Sequence, residues 1–161
     1  MKANNQTRNL ALGGMIAALY VVLTYVANAF GLAAGEIQVR SSDSLCLLPC
    51  VIPAAVPGLT LGCLLANLLT GCVPLDIVFG TLATLLGAVG TRLMRNKPYW
   101  SWIPPVLANT LIVPPVLMYA YGVPTAWPLL ALQIFIDEMI SVALLGLLVL
   151  RGVKTILPKL G

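Results

Sequence analysis

Between Leu64 and Gly87 the chain reads LLANLLTGCVPLDIVFGTLATLLG, two apolar runs joined by a short Gly-Cys-Val-Pro turn. Asn67 lies just before that turn and Asp76 just after it. In lipid, a backbone reversal is tolerated only at the interface or where it lines a protein cavity, because no water satisfies the freed amides. Asp76 is one of only five acidic residues in the chain. A carboxylate at such a place is a functional-site candidate.

The rest of the composition agrees with a lipid environment. Hydrophobic residues make up 60% of the 161 positions, charged residues 9%, and mean hydropathy is +0.98. Soluble domains carry about 25% charged residues, so the chain reads as an integral membrane protein with one transmembrane domain over 1–161. It contains no GxxxxGK[ST] phosphate loop, so uphill transport would draw on an ion gradient or on another chain. It has no histidine, which removes the usual proton shuttle and metal ligand. Cys46 and Cys50 share a helix face, but within apolar runs they read as small hydrophobes rather than a metal pair. The net charge of +4 comes from residues that flank apolar segments. That is a topology signal rather than a nucleic-acid footprint.

Six spans are expected. The first is Leu10–Phe30. Its basic start and the GLAAG at 31–35 mimic a secretory signal, but the run is about twice the length of a signal's apolar core and matches the ~20 residues of a spanning helix. Gly13/Ala17 and Gly14/Ala18 form overlapping small-xxx-small pairs on it, serving either packing within the bundle or docking of a partner subunit. Residues 31–44 form a polar loop or amphipathic lid carrying Glu36, Arg40 and Asp43. The Pro57-Gly58 breaker divides 45–69 into two short spans, and the alternative is one long helix kinked at Pro57. Spans four to six are expected near 75–93, 102–121 and 127–150. Trp100, Trp102, Tyr119, Tyr121 and Trp127 lie near span ends, where an aromatic belt would sit.

Six spans put both termini and the 92–97 loop on one face. That face collects Lys2, Arg8, Arg92, Arg95, Lys97, Arg151, Lys154 and Lys159, eight of the nine basic residues. Five spans would export the 92–97 cluster, against the positive-inside rule. The expected architecture is therefore an all-α bundle of six transmembrane helices with both termini cytoplasmic.

On that topology the polar groups converge on the outer half. Arg40 and Asp43 come from the first outer loop, Asn67 and Asp76 from the central hairpin, Asn109 from span five, and Gln133, Asp137 and Glu138 from span six. Asp137 and Glu138 are about 100° apart on a helix, so only one of them faces a given point. A charge at mid-span costs about 2.5–3.5 kcal/mol on insertion scales. These groups therefore form either a binding pocket or an internal ion-pair network. No GxSxG or HExxH motif supports catalysis. Ionised carboxylates only accept hydrogen bonds, which favours a ligand with several N–H donors or a cation.

Several stretches together resemble the QueT family: GGMIAALYVVLTYV, IQVRSSDSLCLLP, PAAVPGLTLGCLLANLL, LDIVFGTLATLLGAVGTRL, PPVLANTLIV and IDEMISVALLG. The resemblance implies a substrate-binding (S) component of an energy-coupling-factor transporter, in a bacterial plasma membrane. Its ligand would be a queuosine precursor, queuine or a pre-queuosine 7-deazaguanine. Its partners would be the transmembrane coupling subunit EcfT and two ATPase subunits, with no cofactor, metal or catalytic residue in this chain. Gly13, Gly14, Ala17 and Ala18 would then be the docking face. Arg40 matches the family's IQ-x-R-x-S-[ED] loop, with Asp43 where Glu is expected. Asn67, Asp76, Asn109 and Glu138 fall in their expected contexts. A 7-deazaguanine edge offers N1–H and an amine to one carboxylate, Glu138 or Asp76, and Trp100, Trp102 and Tyr121 are available for stacking. The alternatives are a self-sufficient ion-coupled carrier, an S component for another vitamin-like ligand, and a membrane scaffold or intramembrane enzyme.

Overall fold

The computed structural model of the chain describes residues 5–30 and 41–156. Glu36, Arg40 and the basic residues Lys2 and Lys159 lie outside the described residues. Helices make up most of the described residues, and no strand occurs among them. The helices are α1 (Asn5–Ala29), α2 (Ala55–Leu69), α3 (Pro74–Leu93), α4 (Ile103–Ala120), α5 (Trp127–Glu138) and α6 (Leu147–Ile156). A ten-residue 3₁₀ helix, Ser41–Cys50, lies between α1 and α2, and a π-helical stretch, Met139–Gly146, joins α5 to α6. Four helical rods are long and apolar enough to cross a membrane: Asn5–Ala29, Pro74–Leu93, Pro98–Ala120 and Trp127–Ile156.

The two remaining segments are shorter than the ~30 Å hydrocarbon core. At about 2.0 Å per residue the 3₁₀ helix covers roughly 20 Å, and α2 at about 1.5 Å per residue covers roughly 22 Å. They fill the interior instead. Ser42 to Cys50 are all buried, enclosed by α1, α3, α6 and the π stretch. So long a 3₁₀ run is uncommon, and here tertiary enclosure overrides local preference.

The break between these segments falls at 51–54, earlier than the expected Pro57-Gly58. Pro57 sits in the first turn of α2, where its missing N–H leaves no hydrogen bond unmade. Gly58 is a packing residue. A Cβ there would lie 2.6 Å from the Gly13 carbonyl oxygen, and one on Gly62 would lie 3.0 Å from the Ala17 carbonyl. The two helices therefore touch backbone to backbone along glycine and alanine, running in the same direction. This seam leads into a core of Ile16, Tyr20, Leu45, Leu48, Leu59 and Cys63.

The central hairpin is as expected. Gly71 takes a left-handed φ of 73°, and Cys72 N–H donates to the Asn67 carbonyl while Gly71 N–H donates to that of Leu68. This is a glycine-terminated helix end, after which Pro74 opens α3 at a position that lacks a partner for an N–H anyway. α3 and α4 then run antiparallel in close contact. A Cβ on Gly87 would meet Pro105 Cα at 2.8 Å, and one on Gly90 would clash with Pro104 Cβ. Pro104 and Pro105 thus occupy the first turn of α4, and Pro114-Pro115 lies inside it without ending it.

One end of the bundle collects positive charge. Arg92 Nη1 donates to the Pro49 carbonyl at 3.3 Å, and the Cys50 thiol lies 3.7 Å from the Arg95 carbonyl. Val149 and Val153 of the last rod pack against the same core as Leu12 of α1. Arg8, Arg92, Arg95, Lys97, Arg151 and Lys154 therefore gather where α1 begins and α3 and α6 finish. The flanks are apolar and exposed, for example Met15, Leu61, Leu82, Leu111, Leu132 and Leu144. Trp100, Tyr119, Tyr121 and Trp127 are exposed near rod ends. A protein apolar on its outside in this way is built for lipid.

Candidate functional site

A cluster of buried polar side chains lies at middle depth, built from four elements. Tyr20 of α1 is 1% exposed, and its hydroxyl donates to Asp43 Oδ1 at 2.7 Å. Asp43, in the first turn of the 3₁₀ helix, is equally buried. Asn109 Nδ2 of α4 donates to Glu138 Oε1 at 2.8 Å, and both residues are buried. The Cys46 thiol sits between the two pairs, within electrostatic reach of Asp43, Glu138 and Cys63. Each carboxylate thus has one oxygen held by a neutral donor. Such bonds to a charged acceptor contribute about 1.5–3 kcal/mol.

The helix defect beside Glu138 aims this wall. Glu138 is the last residue of α5 before eight residues of wide π turns, and π turns inside helices frequently mark functional sites. The stretch buries Ser141, Val142, Ala143 and Gly146. A Cβ on Gly146 would meet the Ser44 carbonyl at 3.1 Å, so the rod presses directly on the 3₁₀ helix. Asp137 is half-buried and turned away from Glu138. Glu138, rather than Asp137, faces the interior.

A second polar group lies nearer the hairpin turn. Asp76 is buried in the first turn of α3, where a helix N-terminus favours negative charge by about 0.3–1 kcal/mol. The Tyr121 hydroxyl donates to Asp76 Oδ2 at 2.9 Å and accepts from Val73 N–H at 3.4 Å. Burial against the turn, then the Asp76 charge, pushes the Tyr121 phenol well above its ordinary value. A Cβ on Gly80 would lie 3.2 Å from Asn67 Nδ2 and 3.3 Å from Asp76 Oδ1, so Asn67 and Asp76 converge over this glycine. Asn67 Nδ2 also points at Cys63 Sγ, 3.7 Å away.

Gly87 opposite Pro105 sets the α3–α4 register and places Asp76 about seven residues of α4 from Asn109. At about 1.5 Å per residue that is roughly 10 Å in depth. The polar residues therefore form a column in two tiers, Tyr121 and Asp76 above, Asp43, Asn109 and Glu138 below, with Asn67 between. Gln133 is half-buried one turn and more above Glu138, and its Oε1 is buried without a hydrogen-bond partner. Arg40 falls outside the described residues. Trp100 and Trp102 belong to the basic end, away from both tiers. An open apolar groove of about 370 Å³ between α3 and α4, lined by Leu75, Phe79, Ile112, Pro115, Val116 and Tyr119, presents no side chain suited to a polar ligand.

Sequence reasoning missed Tyr20, Cys46 and the bond from Tyr121 to Asp76. Tyr20 carried a usable signal, because a phenol in the middle of a spanning helix needs a hydrogen-bond partner. The small-residue face of α1 is divided. Gly13 and Ala17 are consumed by packing on α2, whereas Gly14 and Ala18 remain exposed. No curated protein and no solved structure matches the chain. The family model described as QueT transporter matches residues 10–155. With its apolar rods, the chain belongs to the QueT transporter family and is a multi-pass membrane transport protein rather than an enzyme.

Proposed function

We propose that this chain is the S component of an energy-coupling-factor transporter and captures a queuosine precursor, queuine or a pre-queuosine 7-deazaguanine, in its polar column. The observation that carries the reading is the presence of two buried carboxylates, Asp43 and Glu138, in the polar interior of a membrane-embedded bundle. Ionised carboxylates accept only, and a 7-deazaguanine supplies N1–H, an amine and a pyrrole N–H. Asp76 and Asn67 lie along the route from the hairpin end and receive the base first. Gln133, whose Oε1 is buried without a partner, lies on the hairpin side of Glu138, and Arg40 and Asp137 are the remaining candidate contacts.

The chain follows a six-crossing path in which the 3₁₀ helix and α2 are the second and third passes. The basic end faces the cytoplasm of a bacterium, in keeping with the positive-inside rule. ATP hydrolysis belongs to two partner subunits, reached through the coupling subunit EcfT. Gly14 and Ala18 offer that subunit a flat surface of the kind on which membrane helices approach closely.

Calorimetry on the purified chain tests the substrate. Queuine or a pre-queuosine base binds without ATP, and Glu138→Gln weakens binding by tenfold or more, about 1.4 kcal/mol. Absence of heat with all of these bases removes the substrate assignment. Uptake by the chain alone in ATP-free vesicles would instead establish an ion-coupled carrier.

A further inference from the structure

The halves of α4 and α5 that lie away from the basic end share a small core of their own. Val113 and Leu117 of α4 pack with Leu130 of α5, and Met118, Val123 and Ile134 close around them. The other two cores lie elsewhere, one among α1, the 3₁₀ helix and α2, the other around Leu47, Val106, Val142 and Leu150. The arm of residues 114–138 is thus packed largely on itself.

Both rods of this arm carry a helix defect near its base. Pro114 and Pro115 lie inside α4. Having no N–H, they leave the carbonyls of Thr110 and Leu111 without the donor that a regular helix supplies four residues on. On the other rod the π turns begin at Met139, directly after Glu138. Helices bend at prolines and at π turns. The Asn109–Glu138 bond ties the two rods together just beneath these points.

Packing against α3 changes at the same place. Toward the basic end, Gly87 and Gly90 of α3 press on Pro105 and Pro104 with no room for a side chain. Beyond that contact the two helices part around the open groove of about 370 Å³, with Leu75 and Phe79 on one wall and Ile112, Pro115 and Tyr119 on the other. At the far end Tyr121 reaches back to α3. Its hydroxyl donates to Asp76 Oδ2 at 2.9 Å and accepts from Val73 N–H at 3.4 Å.

A pinned base, two bend points, a wedge of space and a polar clasp at the tip are the parts of a hinged flap. We infer that the arm of residues 114–138 is a gate that swings about Pro114–Pro115 and the π turns, held shut by the clasp of Tyr121 on Asp76 and Val73. Asp76 is 4% exposed behind that clasp, so opening uncovers the upper tier of the polar column. Passage of a ligand through the opening rests on the proposed transport reading, whereas the opening itself is read without ligand.

The test is carbodiimide coupling of a small amine to carboxylates on the ligand-free full chain in detergent, followed residue by residue with mass spectrometry. The rate at Asp76 reports how often the gate opens, and Asp43, buried outside the arm, reports loosening of the whole fold. The variants are Tyr121→Phe, Pro114→Ala with Pro115→Ala, and the three together. Tyr121→Phe labels Asp76 about tenfold faster, the scale of a hydrogen bond to a charged group, while Asp43 keeps the wild-type rate. The alanines return two backbone donors and stiffen α4, so the combined variant labels Asp76 several-fold more slowly than Tyr121→Phe alone. Pro114 is buried, so Pro115→Ala alone repeats the measurement if the alanine pair melts below the wild type. A Tyr121→Phe protein that labels like the wild type overturns the clasp and with it the gate. Alanine variants of wild-type melting temperature that leave the Tyr121→Phe rate unchanged overturn the hinge. A parallel rise at Asp43 shows general loosening instead and overturns the inference as well.

Discussion

Asn109 and Glu138 are joined by a 2.8 Å hydrogen bond that ties the middle of α4 to the residue just before the π turns. Through it an amide proton from a neighbouring rod holds the Glu138 carboxyl group in orientation. Asn109→Leu removes the donor and keeps the volume. A loss of about 1.5–3 kcal/mol is expected, the worth of a hydrogen bond to a charged group, read as a lower melting temperature in detergent. Asn109→Asp places a second carboxylate against Glu138 and is expected to be the more harmful of the two.

Tyr20 and Asp43 connect α1 to the 3₁₀ helix through a 2.7 Å bond. A double-mutant cycle with Tyr20→Phe and Asp43→Asn should give a coupling energy of about 0.5–3 kcal/mol, as contacting polar partners do. Additive effects in thermal unfolding would show that the pair is not coupled in the membrane protein.

Tyr121 is predicted to titrate above the ordinary tyrosine value. Its ordinary value is 10.0, and burial with the Asp76 charge raises it. A raised folded value means that the protonated phenol is favoured by folding. The contribution is complete below about pH 10 and is lost as pH climbs through the higher folded value. Ultraviolet titration of wild type and Tyr121→Phe should therefore differ by one phenol that ionises above the ordinary tyrosine value. The variant should also lose the protection that the Tyr121 bond gives to the Val73 amide in hydrogen exchange.

Gly58 and Gly14 make a contrasting pair. A side chain at Gly58 runs into the Gly13 carbonyl at 2.6 Å, whereas one at Gly14 meets nothing within 4 Å. Gly58→Leu should destabilise the fold severely, by the several kcal/mol typical of overpacked helix contacts. Gly14→Leu should leave folding and ligand binding unchanged and reduce only co-purification with the coupling module. A Gly14→Leu variant that assembles normally would remove this face from the docking surface.

The hairpin was legible because Gly71 and Pro74 have unambiguous backbone preferences and the two apolar runs are long. Four rods were legible for the same reason. The 3₁₀ geometry of Ser41–Cys50 was not, since nothing local separates it from an α-helix and its enclosure comes from four distant elements. Pro57 misled for a related cause, as proline breaks a helix interior but suits a first turn. At the site, the unusual residue types in an apolar chain pointed to Asp43, Asn67, Asp76, Asn109 and Glu138. Their pairing across 23 and 29 residues depends on packing that sequence spacing does not encode. Glu138 was favoured over Asp137 only by resemblance, and the phase change at the π turns supplies the physical reason.

The 3₁₀ helix has a consequence for how this protein is made. A ten-residue segment that carries Asp43 and three serines is too short and too polar to partition into a bilayer unaided. Among the described residues Tyr20 donates to its Asp43, and α1, α3 and the last rod enclose it. The segment therefore enters its final place after residues more than 90 positions downstream have been synthesised. Until then it waits at the membrane surface or inside the insertion machinery. The polar cluster to which that segment contributes Asp43 is in consequence the last part of the molecule to exist.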